Sequence, residues 1–326
     1  MNSKTCNKSL PPLWGKVRMG VGSKHVLPPL SSPTRGEESV SHFSRWMHIY
    51  AKLLAGVTFL LIIAGGLVTS TQSGLSVPDW PLSYGQWMPP MVGGVRYEHT
   101  HRIIASLVGL MTLILVVWVG FSESRKWVRW TTIAAFGVVV LQGILGGMTV
   151  LFLLPAPISI FHACLAQTFF TLVVSLAYFT SHEWFSSEAV HQDFSDVKRP
   201  LFALIVLTYF QLILGATVRH TANHYVLASH IISGFLVLIH AIMVMNRVAK
   251  NHEGERKFII PSIGLGLITL FQTALGMGSF IYTVMLQPTL QPSSQKVFFV
   301  TAHQSLGALL LATSVFLFLR ILRVEK

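Results

Sequence analysis

Glu98-His99-Thr100-His101-Arg102 opens directly onto an apolar run from Ile103 to Val119. A run of that length approaches the ~20 residues that carry a helix across a bilayer. A carboxylate, two imidazoles and a guanidinium at its mouth are costly beside a membrane, which marks the stretch as a candidate functional site. Glu98 and His101 stand three apart, so a helix places them on one face. His99 points roughly 100° away from them and is expected to meet a loop or the lipid interface.

The rest of the chain has the same character. Of its 326 residues 52% are hydrophobic and only 11% charged, and the mean hydropathy is +0.60. A soluble protein carries about 25% charged residues, so this composition reads as an all-α integral membrane protein. The net charge of +12 invites a nucleic-acid partner, but the basic residues lie mostly in short loops and tails between apolar runs. That placement orients a polytopic membrane protein, so lipid is the expected surrounding and no nucleic acid is expected. Cys6 lies in the N-terminal tail and Cys164 in an apolar run, which argues against a disulfide framework or a cysteine metal site.

Eight transmembrane segments are predicted, at roughly 50–70, 102–120, 131–151, 158–180, 200–218, 226–246, 258–282 and 298–319. Residues 1–44 read as a disordered cytoplasmic tail without the apolar core of a secretory signal. Being basic, serine-containing and poor in acids, they also fit an organellar transit peptide, although arginine is sparse. With an inner N-terminus, the inner side receives Arg125, Lys126, Arg129, Lys198, Arg199, Arg247, Lys250, Arg256 and Lys257, and the C-terminal Arg320, Arg323 and Lys326. The outer side keeps only Arg96, Arg102, Arg219 and Lys296. Both termini are therefore expected in the cytoplasm. The expected location is a bacterial inner membrane, with the mitochondrial inner membrane as the alternative.

Gln142-Gly143-Ile144-Leu145-Gly146, Gln211-Leu212-Ile213-Leu214-Gly215 and Gln272-Thr273-Ala274-Leu275-Gly276 share the pattern Gln-x-x-Leu-Gly near the outer ends of odd-numbered segments. The first segment offers a looser Ile63-Ala64-Gly65-Gly66. In the even-numbered segments a histidine recurs near the outer end: His101, His162, His230 and His303. This predicts two pseudo-symmetric four-helix bundles. The N-terminal half spans 45–180, a cytoplasmic linker 181–199, the C-terminal half 200–322 and a short cytoplasmic tail 323–326. Four spans per half insert both halves in the same sense, so all four histidines share one depth. The motif glycines are expected to serve close helix packing. The glutamines could bond a neighbouring backbone or a ligand edge.

The histidines are 61, 68 and 73 residues apart. Zinc sites favour nearby spacings such as His-Glu-x-x-His. Wide, regular spacing suits pairs of helices gripping a planar cofactor, and neutral imidazole is a good axial ligand to heme iron. The repeat pairs His101 with His162 and His230 with His303. Only His101 has a carboxylate three residues before it; Ser159, Leu227 and Val300 stand at the matching positions. That makes the first half the candidate reaction site and the second half a fixed redox site. An ion pair of Glu98 with Arg96 or Arg102 is the plainer alternative. His220 and His224, with Arg219, lie where heme propionates or water could meet them. His240 is expected to be packed or at the inner interface, and His48, His182 and His252 in tails or inner loops.

At Gly65-Gly66-Leu67-Val68-Thr69, Ser73-Gly74-Leu75-Ser76-Val77-Pro78-Asp79-Trp80-Pro81, Glu98-His99-Thr100-His101-Arg102 and the three later histidines, the chain resembles the heme A synthase family. The likeness covers about residues 46–322. It implies an oxidoreductase that converts the C8 methyl of heme O to a formyl group, through an alcohol and a hydrated aldehyde, to give heme A for cytochrome c oxidase. His230 and His303 would ligate a resident heme b. His101 and His162 would face heme O or heme A, and Glu98 would be the catalytic carboxylate, as a charge stabiliser, a base or a transient covalent partner. Arg102, Arg219, Gln142, Gln211 and Gln272 are candidates for propionate or ring-edge contacts. Heme O synthase and cytochrome oxidase assembly factors are the implied partners, with an unidentified electron donor. A homo-oligomer stays open. Some members carry a cysteine pair in the first outer loop; residues 72–97 contain none, so a thiol relay there does not apply. The competing readings are a di-heme cytochrome b that only carries electrons, and a transporter. Against the transporter, the ionisable residues lie at the rim rather than the midplane.

Overall fold

The structure, a computed structural model, describes the backbone at 35–186, 193–286 and 292–325, with side chains from Arg45 onward. Its helices are α1 (Arg35–Ser70), α2 (Val95–Ser122), α3 (Lys126–Leu151), α4 (Ala156–Phe179), a short α5 (His182–Ser186), α6 (Ser195–Thr221), α7 (His224–Asn251), α8 (Arg256–Phe280, continued by a π turn at Ile281–Met285) and α9 (Ser294–Val324). All but α5 are long and apolar enough to cross a membrane, eight in all among the described residues. The protein is a multi-pass, all-α membrane protein. Of the expected N-terminal tail, residues 1–34 lie outside the described residues, as does Cys6.

Each predicted segment matches one of these helices, 158–180 overrunning α4 by its cap residue Thr180, and most helices run longer because their polar ends hold structure of their own. Asn223 caps α7 by accepting from the Tyr225 N–H at 2.9 Å, and Ser293 caps α9 by accepting from the Lys296 N–H at 3.2 Å. Asp193 accepts from the Ser195 N–H and hydroxyl at 2.8 and 2.9 Å and starts α6 ahead of Pro200. Those bonds, the N–H first, hold its carboxyl below the usual range. α2 begins at Val95, so Glu98–Arg102 occupies its first two turns rather than the loop before it.

Within the spans, hydroxyls bond back to the carbonyl four residues earlier, as Thr58 does to Leu54 at 2.7 Å and Thr269 to Leu265 at 2.8 Å. No water is at hand in the bilayer, and this satisfies them locally. Apolar side chains such as Leu110, Ile232 and Phe271 point outward, as a lipid-facing surface requires.

Helix contacts close a ring α1–α2–α3–α4 in the first half and a second ring α6–α7–α8–α9; α1 and α4 meet α9, and α4 meets α6. Each ring has its own core. Leu54, Val108, Leu115, Val128 and Val173 fill the first. Leu204, Val237, Val244, Leu265 and Leu317 fill the second. A smaller cluster of Ile62, Phe170, Ala308 and Ala312 joins them. At the end carrying the 71–94 loop, the Ser70 and Thr301 hydroxyls lie 2.8 Å apart across the α1–α9 seam, and the Arg219 guanidinium of α6 donates to the Thr69 carbonyl of α1.

Of the histidines expected in tails or inner loops, His48 lies within α1, and His252, in the connection between α7 and α8, is packed. His48 Nδ1 lies 2.8 Å from the Ala177 carbonyl. His252 is buried, stacked on Phe194 with ring centroids 4.3 Å apart and planes at 9°.

Candidate functional site

Each of the four histidines is seated against a glycine of the preceding helix. A methyl group built on Gly65 would come within 3.1 Å of His101 Cε1, on Gly215 within 3.0 Å of His230 Cε1, on Gly276 within 2.8 Å of His303 Cε1, and on Gly146 at 3.5 Å from His162 Cε1. Three of these glycines end Gln-x-x-Leu-Gly, and Gly65 belongs to its looser first copy. They permit close approach as expected, but what approaches is an imidazole ring.

Two of the glutamines take the backbone alternative. Gln142 Nε2 donates to the His162 carbonyl at 3.1 Å, and Gln211 Nε2 to the His230 carbonyl at 2.7 Å. Ser233 steadies Gln211 by donating to its Oε1. At the third motif it is the Gln272 carbonyl that meets the ring, 3.0 Å from His303 Nδ1. A carbonyl only accepts, so His303 carries its proton on Nδ1 and presents the Nε2 lone pair.

This donor set fits heme. His230 and His303 stand with ring centroids 6.1 Å apart and planes at 87°. Two imidazoles bound through Nε2 to one first-row metal, at about 2 Å each, place their centroids roughly 6 Å apart. His101 lies within electrostatic reach of His162. The backbone carbonyls of Leu61, Gln142 and Gln211 stand to His101, His162 and His230 as that of Gln272 does to His303. Among the described residues no group of three or more His, Cys, Asp or Glu converges as a site for a bare metal ion. Paired imidazoles suit the two faces of a heme.

Glu98 is 4% exposed. Its Oε1 accepts from Arg102 Nη2 at 2.7 Å and its Oε2 from the Val77 N–H at 2.9 Å. Arg102 in turn donates through Nη1 to the carbonyls of Asp79 at 2.7 Å and Leu82 at 2.8 Å. The guanidinium therefore clasps the 77–82 loop, a different partner set from the propionate contact expected of it. Glu98 and Arg102, four apart, form the ion pair of the plainer reading, and the pair is built into the wall of the first-half site.

The loop is itself organised. The Asp79 carboxylate accepts from the Tyr84 N–H at 2.7 Å and the Gly85 N–H at 2.8 Å. Tyr84 and Gly85 have φ of 54° and 67°, a left-handed turn that suits glycine at the second position. The Gly85 N–H, then that of Tyr84, with the Arg102 charge behind them, hold the Asp79 carboxyl below its ordinary value. Ser83 Oγ lies 2.8 Å from His99 Nδ1, so His99 meets the loop, as its angle predicts. Trp80 reaches α3, where a methyl on Gly147 would fall 2.8 Å from the indole. Sequence reasoning did not find Val77, Ser83 or Gly147; the only signal was the dense Ser-Gly-Leu-Ser and Asp-Trp-Pro pattern of the loop.

A family model described as cytochrome oxidase assembly protein (COX15-CtaA) matches residues 48–93 and 95–231. The chain belongs to that family. The matched stretch holds Glu98, Arg102, His101, His162 and His230, and His303 lies beyond it. Among curated relatives of this family, the heme A synthase of Geobacillus kaustophilus is 29% identical over 169 residues, 49% of this chain and 52% of the relative. That of Bacillus pumilus is 24% identical over 250 residues, 68% of this chain and 81% of the relative. That of Roseobacter denitrificans is 32% identical over 140 residues, 38% of this chain and 36% of the relative. The match to the Geobacillus kaustophilus protein thus spans about half that relative's length.

Arg219 and His220 end α6 beside the seam between the halves, and His220 lies within electrostatic reach of His162. Arg219 is half-buried and, among the described residues, forms no ion pair with a carboxylate.

Proposed function

We propose that this protein is a heme A synthase, an oxidoreductase that takes the C8 methyl of heme O through an alcohol and a hydrated aldehyde to the formyl group of heme A, destined for cytochrome c oxidase. The observation that carries the reading is an asymmetry. Four matched imidazole seats form two pairs, and only the first pair has a buried carboxylate beside it.

His230 and His303 would hold a resident heme b, which when bound supplies single-electron transfer. His101 and His162 would face the substrate heme. Arg219 offers its charge to a propionate. Arg102 and the Val77 N–H fix both oxygens of Glu98, so the carboxylate is oriented before substrate arrives and positive charge developing on the oxidised carbon meets a preorganised anion. A proton released there has Glu98 as its nearest carboxylate acceptor. The 77–85 loop, tied down by Arg102 and Asp79, closes this end of the site against water.

The membrane is a bacterial inner membrane in this reading, with both termini cytoplasmic and the site near the outer surface. Heme O synthase supplies the substrate, oxidase assembly factors receive the product, and an electron donor completes the system.

Extraction and chromatography of the pigments bound to purified protein test the proposal. Heme B together with heme O or heme A is the expected result. Two equivalents of heme B alone would instead favour the electron carrier, which uses the same histidines and gives Glu98 no chemical duty.

A further inference from the structure

The histidine pairs explain which side chains could hold a heme, but not why each imidazole points as it does. The four glycine contacts bear on that. At Gly65, Gly215 and Gly276 the order of approach is the same: Cε1 nearest, then Nδ1, then Nε2. For Gly276 these distances are 2.8, 3.2 and 3.6 Å; for Gly215, 3.0, 3.6 and 3.7 Å; for Gly65, 3.1, 3.5 and 3.9 Å. Gly146 touches only Cε1, at 3.5 Å. Three rings on three different helices thus lie on their glycine in one pose. A side chain at any of the three would press on the ring edge between its two nitrogens, and the ring could yield only by turning about its own axis.

We infer that Gly65, Gly215 and Gly276 are positioning residues that set the rotation of the imidazole planes, and that the two in the second half fix the near-perpendicular arrangement of His230 and His303. This rests on the heme reading given above and adds to it the residues that tune the ligand field. In that half the ring of His303 is trapped between Gly276 and the Gln272 carbonyl on its Nδ1. The ring of His230 rests on Gly215, and the Gln211 amide fixes the helix backbone that carries it. A methyl group on either glycine is therefore met by rotation of the ring. The clash distances also rank the sites, from Gly276 through Gly215 and Gly65 to Gly146, where an added methyl makes ordinary contact.

The test uses the full chain purified in detergent, with Gly276→Ala, Gly215→Ala and, as control on the same helix as Gly276, Gly264→Ala, which has nothing within 4 Å of its added methyl. Two quantities are read: heme B per protein, and the low-spin ferric electron paramagnetic resonance signal, whose anisotropy depends on the angle between the two imidazole planes. Gly276→Ala is expected to shift that signal most and Gly215→Ala less, while Gly264→Ala leaves the wild-type line. Should Gly276→Ala fail to accumulate in the membrane, Gly215→Ala, with the milder clash, carries the test by itself. A wild-type signal in both seat variants overturns the inference while leaving the heme reading intact, as does a shift in Gly264→Ala as large as theirs. Wild-type protein without any low-spin heme overturns both.

Discussion

The two halves of the molecule share a scaffold and differ in what stands over it. In each, a closed ring of four helices presents two imidazoles against the glycines of neighbouring helices. In the second half, α6 and α7 are joined by Ala222 and Asn223 alone. In the first, 24 residues separate α1 from α2, Ser70 to Val95, and that loop is fastened down by Glu98 and Arg102. The comparison separates two tasks. Holding a planar group needs paired imidazoles with room for their rings, which both halves provide. Acting on its edge needs a fixed charge and a cover; among the described residues the first half has both.

The largest expected effects test that division directly. His303→Ala should remove the second-half low-spin heme signal altogether. Glu98→Gln should leave that signal in place while lowering heme A formation by about a hundredfold or more, the range of a lost acid–base or electrostatic group. Pigment analysis and spectroscopy on the same preparations check both. Full activity in Glu98→Gln would make the halves chemically equivalent and leave the electron carrier as the better reading.

Arg102 comes next. Arg102→Leu strips Glu98 of its counter-ion and leaves a buried carboxylate, a loss of about 3–5 kcal/mol for such pairs. It also frees the carbonyls of Asp79 and Leu82. Arg102→Lys keeps the charge but not the planar fork that reaches several acceptors together. The leucine variant is expected to expose the 77–85 loop to protease and to lose activity, with lysine restoring part of the activity but little of the protection. Equal protection in both variants would show that the fork is not what fastens the loop.

What could be read in advance follows from the range of the interactions concerned. Eight spans were legible because a run of apolar residues is a local property. The histidines were legible because the repeat places them at one depth. The glycine seats were half legible: Gln-x-x-Leu-Gly recurs visibly, but only the fold shows that Gly276 meets His303 rather than a helix backbone. The carbonyl partners of Arg102 were not legible, because they lie 20 to 25 residues away in the chain, and a carbonyl has no signature in sequence. The burial of His252 was not legible for a similar reason. It sits in a polar stretch, yet Phe194 of the linker covers it.

Gln211→Leu and Gln142→Leu sharpen the comparison more gently, because each removes one interhelical bond to a histidine carbonyl, one in each half. Such bonds average about 0.6 kcal/mol within membranes. Both variants should retain their pigments and lose heme only slightly earlier on heating. A much larger loss for Gln211 than for Gln142 would mean that the Ser233 and Gln211 pair carries part of the seat by itself.

The smallest effect concerns Asp79, whose turn has no counterpart in the α6–α7 connection. The Gly85 and Tyr84 N–H groups depress its carboxyl below the ordinary value of 3.8 in the folded state. The sign follows: the contribution of the ionised carboxylate to loop order is complete above that ordinary value and is lost as pH falls through the lower folded value. Asp79→Asn should reproduce the loss at neutral pH, since an amide has one acceptor oxygen for two N–H donors. Hydrogen exchange at the Tyr84 and Gly85 amides, corrected for intrinsic rates, is expected to speed up in Asp79→Asn at neutral pH and in the wild type only in acid. The second-half heme signal should be indifferent to the substitution, because the Asp79 carboxylate bonds within its own loop. Unchanged amide protection in Asp79→Asn would place the order of the turn in its backbone alone, and leave the Arg102 clasp as the fastening that distinguishes the first half.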